Sequence, residues 1–246
     1  MRRMTMALGL CVALSMAAAT APAQAQFSGE EEQAIRDIVR EYLIDNPEVL
    51  VEALQEYQAR QQIAEAERQQ ENVARMSAAL FDSDAPSWGP ADAEVVLVEF
   101  FDYNCGYCKR SLPDIQALME TQDNLRIVFM EIPILAPSSD VAARAALAAR
   151  DQGLYIEMHN ALMSHRGELS ETVILQIAGD VGLDVEQLRQ DMQSPDLAAE
   201  ISANLDLAEA IGVRGTPAFV IGDRVIPGAV GLAALEDAIA QEMEGS

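Results

Sequence analysis

Cysteine is nearly absent from this 246-residue chain, which holds only Cys11, Cys105 and Cys108. So few cannot make a disulfide scaffold, which spreads its bridges over distant segments, and they hold no second cysteine pair for a closed structural zinc site, which needs four ligands. Basic side chains are also scarce, 16 against 40 acidic ones, with Lys109 the single lysine and a net charge of −24. Such a balance repels nucleic acid and anionic membrane surfaces, and its simplest physical meaning is solubility. The two histidines, His159 and His165, are six apart and neither follows a Cys-X-X-Cys, which excludes haem attachment and leaves them as surface or packing residues. No apolar run reaches the ~20 residues that span a bilayer, so no membrane insertion is expected. No internal repeat is present.

The first residues address the chain. Arg2 and Arg3 precede an apolar run from Ala7 to Ala19, and "APAQAQ" offers small residues at Ala23 and Ala25. This pattern predicts a cleaved secretory signal over 1–25, cut after Ala25, which takes Cys11 with it. Export places the remaining Cys105 and Cys108 where disulfides persist, and loss of the two arginines brings the net charge to −26. About 220 residues with this hydrophobic content can bury a full core without staples. One sizeable domain with an appendage is expected.

The appendage is helical. From Ser28 to Leu80 there is no glycine after Gly29 and one proline, Pro47. Ser28 with Glu31 forms a capping box, Ile35, Ile38, Val39, Tyr42 and Leu43 share a face, and Asn46-Pro47 stops one helix and starts the next. A single helix over 47–80 would run ~50 Å, so it must reach beyond its own core or break. Its stripe of Val49, Leu50, Leu54, Tyr57 and Ile63 wants a partner, either the chain's own domain or another copy. The polar stretch 64–75 that follows reads as a solvated connector. Residues 26–80 are therefore assigned as a helical oligomerisation region and linker.

The breaker cluster "DSDAPSWGPAD" opens a second part, 85–246. "AEVVLVEFFDY" and "NLRIVFMEIPIL" are continuous apolar runs, as strands covered on both faces should be, and "CGYCKRSLPDIQALMET" between them has helical periodicity. Strand, helix, strand implies a parallel pair with a crossover helix, hence an α/β domain. A mainly helical insert over about 138–205 follows, then two short strands around Gly222-Asp223 and a last helix from Leu232 to Met243.

Cys105 and Cys108, separated by Gly106 and Tyr107, fall at the strand-to-helix junction. A bridge across two residues closes too small a loop to act as a staple. A helix N-terminus presents free N–H groups and partial positive charge, which favours a thiolate at Cys105, and Lys109 and Arg110 should add to it. Cys105 is the expected nucleophile and Cys108 the resolving partner, the two forming a redox-active disulfide. No resident metal is expected, although paired thiolates also suit Cu(I).

These residues resemble the DsbA-like branch of the thioredoxin fold: "VEFFDYNCGYC", a helical block, then "GVRGTPAFVIGDRVIPG". The likeness spans roughly 91–243 and implies a thioredoxin fold with an inserted helical subdomain, preceded here by an N-terminal helical stalk. It implies that Glu99, six residues before Cys105, moves the proton of the resolving cysteine, and that Thr216-Pro217 is a cis-proline loop offering its backbone to substrate. "EYLIDNPEVLVEALQEYQ" resembles the stalk of suppressor-of-copper-sensitivity C proteins. Gly106-Tyr107 and Thr216 resemble the choices of disulfide isomerases more than those of strong oxidants. The resemblance thus implies a periplasmic thiol–disulfide oxidoreductase, an isomerase with dithiol oxidase as the alternative and copper binding as a different class. It implies no cofactor beyond the disulfide. Its expected partners are mispaired exported proteins, a membrane-embedded thiol reductase and further copies of itself, in a trimer.

Overall fold

The computed structural model describes residues 27–81 and 84–245. The signal segment 1–25, with Cys11, lies outside the described residues. The chain forms two compact units that meet between Gln58 and Ala59.

In the first unit, α1 (Gly29–Asp45) begins with the Ser28 capping box: Glu31 N–H donates to Ser28 Oγ while the Glu31 carboxylate accepts the Ser28 backbone N–H at 2.8 Å. Asn46 ends it, and α2 (Glu48–Arg75) starts just past Pro47. Ile38, Val39, Tyr42, Leu50, Leu54 and Tyr57 are all at least half exposed.

The helix expected over 47–80 breaks at Met76, after which α3 (Ser77–Phe81) continues. The stretch 64–75 also departs from a solvated connector. Val73 and, in α3, Leu80 are fully buried, packed in one cluster with Val98, Phe100 and Val220. A short amphipathic pattern of one apolar residue per two turns is too sparse to announce itself among so many charges.

The second unit is built on a five-stranded sheet in the order β1-β3-β2-β4-β5: β1 (Ser87–Trp88), β2 (Val95–Phe101), β3 (Leu125–Glu131), β4 (Ala218–Ile221) and β5 (Arg224–Pro227). β2 and β3 are parallel, Leu97 facing Ile127, and α4 (Gly106–Thr121) is their crossover; the other pairings are antiparallel. β1 was hidden in the breaker cluster, since a two-residue edge strand has no periodicity to read. Helices α5 (Pro137–Ala149), α6 (Tyr155–Ser164), α7 (Glu171–Asp180), α8 (Val185–Asp191) and α9 (Pro195–Ala210) form the insert, and α10 (Leu232–Gly245) closes the unit.

Strand alternation divides the core in two. Leu97, Phe101, Ile127 and Phe129 face α4 and the alanine-rich α5, while Val98, Phe100, Val128 and Met130 face Val73 and Leu80. Glu99 and Glu131 fall in the first register, so both carboxyls are directed to the side that carries the cysteines.

Candidate functional site

The loop between β2 and α4 is held by one buried carboxylate. Asp102 accepts the N–H groups of Asn104 at 2.7 Å and of Ile134 and Leu135 at 2.9 Å, and the Ser139 hydroxyl at 2.8 Å. Asn104 adds bonds from Nδ2 to Ser138 Oγ and Ser139 Oγ, and Cys105 N–H donates to Asp102 O at 3.0 Å. A loop so cross-linked presents its next residue in one place.

That residue is Cys105, the N-cap of α4. Its sulfur accepts the Cys108 backbone N–H at 3.4 Å, which is the free N–H of the helix start turned on a thiol. From the other side the Cys105 thiol donates to Thr216 O at 3.2 Å. The Thr216–Pro217 peptide bond is cis. Both cysteines are thiols in this structure and both are buried, while Tyr107 between them is 60% exposed.

The chemistry differs between the two sulfurs because their surroundings differ. Burial pushes the Cys108 thiol well above the ordinary range, and the negative charge of Glu99 adds to that. Burial likewise raises the Glu99 carboxyl from 4.5 to about 8. The carboxyl and the Cys108 thiol thus share one buried environment, in which each charged form disfavours the other.

Lys109 and Arg110, expected to add charge at the sulfur, each have a partner of their own. Lys109 Nζ donates to His165 O at 2.7 Å, and the Arg110 guanidinium sits 4.0 Å from the centre of the Tyr107 ring. The helix N-terminus is what faces Cys105.

A second polar group lies behind the loop and was not foreseen. Tyr103 and Tyr155 hydroxyls both donate to Glu131 Oε1 at 3.0 Å, and the Tyr103 hydroxyl lies 3.1 Å from His159 Nδ1. Burial raises Glu131 far above the carboxylate range against the opposing pull of the Tyr103 and Tyr155 hydrogen bonds, and burial depresses His159 from 6.5 to about 3. Phe101 and Phe129 pack edge-on or tilted against the His159 ring. His159 is thus a packing residue with a polar tie. The available signal was Glu131 itself, an acid at an inward position of an apolar strand.

Among the described residues no group of three or more His, Cys, Asp or Glu side chains is placed to hold a metal ion, and no helix is long and apolar enough to cross a membrane.

Comparison with known proteins places this geometry. Residues 96–240 match the family model of the DSBA-like thioredoxin domain, and residues 31–64 match that of the copper resistance protein ScsC N-terminal domain. A thioredoxin-like oxidoreductase from Silicibacter pomeroyi is 45% identical with a TM-score of 0.67, over 69% of this chain and 98% of that one. A linker-deletion mutant of ScsC from Proteus mirabilis is 29% identical with a TM-score of 0.69, over 91% of this chain and 100% of that one. Among curated proteins, a Na(+)/H(+) antiporter NhaA 1 of Salinispora arenicola is 34% identical over 160 residues, 64% of this chain and 24% of the antiporter. The chain thus spans about a quarter of the length of the curated relatives it matches.

Proposed function

The chain belongs to the DSBA-like thioredoxin-domain family of thiol–disulfide oxidoreductases, and from this premise we propose that it is a periplasmic disulfide isomerase for exported proteins. The observation that carries the reading is the placement of two unlike sulfurs: Cys105 between a helix N-terminus and the Thr216 carbonyl, Cys108 deeper and under the charge of Glu99.

Cys105 thiolate attacks one sulfur of a mispaired substrate disulfide. A Cys105–substrate bond forms and the other substrate sulfur leaves as thiolate. In isomerisation a substrate thiolate then attacks a substrate sulfur and releases Cys105. In resolution Cys108 gives its proton to the Glu99 carboxylate and attacks Cys105, so that the substrate leaves reduced and the pair is left as a disulfide. Two electrons from a membrane-embedded thiol reductase would restore it. Run in reverse, the same steps oxidise a dithiol, which is the alternative. Reactivation of scrambled ribonuclease by the reduced protein tests the isomerase; failure there with retained oxidation of reduced ribonuclease leaves the oxidase.

Assembly supports isomerisation, since several sites can then face one substrate. The exposed Leu50, Leu54 and Tyr57 of α2 and the match of 31–64 to an ScsC N-terminal domain favour self-association, as a trimer. Apolar surface left in water costs about 25 cal/mol for each Å². The copper wording of that family description supports a second reading, Cu(I) held by the two thiolates. Anaerobic Cu(I) titration separates the two: binding that is unchanged in Cys105→Ser removes the copper reading.

A further inference from the structure

Helix α9 ends at Ala210, and the last carbonyls of a helix have no donor within it. Here two are taken by carboxamides of α2. Asn72 Nδ2 donates to Ala210 O at 2.8 Å and Gln69 Nε2 to Ile211 O at 3.0 Å. Three residues apart, the two amides share a face of α2. Val73 beside them is fully buried in the cluster that holds Leu207, Ala208, Ile211 and Val213. The two part-buried bonds therefore lie at the edge of that core.

The chain leaving these bonds is Gly212-Val213-Arg214-Gly215, and the next residue is Thr216, whose carbonyl receives the Cys105 thiol. Two glycines in four residues give the segment little stiffness of its own. At Gly212, with φ +77°, an added Cβ would lie 3.2 Å from Gln69 Nε2, so the amide lies close against that backbone. Arg214 pairs with Glu65 at 3.8 Å, but both are exposed and the pair contributes little. The same segment borders a groove of about 310 Å³ whose lining includes Gln69, Arg214, Thr216, Pro217, Val225 and Pro227.

We propose that Gln69 and Asn72 are positioning residues for disulfide exchange: they fix the end of α9 and so the Thr216-Pro217 loop, and Gln69 walls the groove that takes an extended, cysteine-bearing polypeptide segment. The inference rests on the exchange reading above. A small thiol needs only the cysteines, whereas a polypeptide also needs the loop and the groove. Substrate length therefore separates positioning from general damage.

The test uses the full chain in its oxidised form, wild type and the Gln69→Ala, Asn72→Ala double variant, with glutathione and with a reduced cysteine-bearing peptide. The ratio of peptide to glutathione rate constants should fall about tenfold, mostly through KM, a change of about 1.4 kcal/mol that one or two hydrogen bonds can supply. Amide hydrogen exchange over 212–218 should rise. Gln69→Glu keeps the size and turns an acceptor on the Ile211 carbonyl, so it should lower the ratio in the same direction as the double variant. Parallel loss toward both thiols, no loss, or unchanged hydrogen exchange overturns the proposal, as does wild-type behaviour in Gln69→Glu. Wild-type protein that exchanges with neither thiol sinks the functional reading instead, and hydrogen exchange still decides whether the loop is held by α2.

Discussion

Cys105 Sγ and the carbonyl oxygen of Thr216 lie 3.2 Å apart across a sequence separation of 111 residues. That contact makes the nucleophile a shared product of the loop after β2 and the loop before β4. If Cys105 attacks and Cys108 resolves, Cys105→Ser should reduce exchange to background. Cys108→Ser should instead accumulate a covalent Cys105–substrate complex, visible by non-reducing electrophoresis and mass spectrometry.

Glu99 should set the pH dependence of resolution. With its carboxyl raised to about 8, ionised Glu99 becomes available as pH rises toward that value, so disulfide closure should accelerate with a midpoint near 8. Stopped-flow rates in Glu99→Gln should be slower and lose that midpoint. The stability consequence has the opposite sign. Between 4.5 and about 8 the folded state keeps a proton that the unfolded chain releases, so stability falls as pH rises through that window. Glu99→Gln should therefore be more stable than wild type near pH 8, with the gain vanishing below 4.5.

His159 predicts a loss at the acid end. Its folded pKa is depressed from 6.5 to about 3, so the stability it contributes is complete above 6.5 and is lost as pH falls from there toward 3. Replacing it by Phe removes that dependence and leaves the Tyr103 hydroxyl short of a partner. Urea unfolding at a series of pH values should show a cost of about 1–3 kcal/mol near pH 8, narrowing as acid is added.

Leu80 tests whether the residues before the breaker cluster belong to the domain core. It is fully buried. Leu80→Ala should cost about 2–5 kcal/mol in denaturant unfolding. A cost within a few tenths would mean that α3 is dispensable.

Assembly is checked by light scattering of the processed chain at micromolar concentration, where a trimeric mass is expected. Leu54→Glu with Tyr57→Glu should give a monomer that loses isomerase activity and keeps dithiol oxidation. A monomeric wild type would remove the proposed assembly.

Local signals in the sequence determined a good deal of this protein. Ser28 and Glu31 marked the first helix, Asn46-Pro47 its end, two continuous apolar runs the central parallel strands, and the change from apolar run to helical periodicity the head of α4 at Cys105. These are decided by residues within a turn or two of each other, so a linear reading reaches them. Resemblance, not periodicity, pointed to Glu99 and to Thr216-Pro217. Only the tertiary structure decided the rest. Val73 and Leu80 are buried because a sheet face formed by residues from Val98 to Val220, far along the chain, needs covering. Glu131 meets Tyr103 and Tyr155, and Tyr103 in turn His159, because parallel pairing of β2 with β3 sets its carboxyl on the side of α6. Lys109 turns to the His165 carbonyl, and Gln69 and Asn72 to the end of α9, because unpaired helix-end and loop carbonyls lie within their reach. Such partners are chosen by proximity in space, and sequence spacing carries no trace of them.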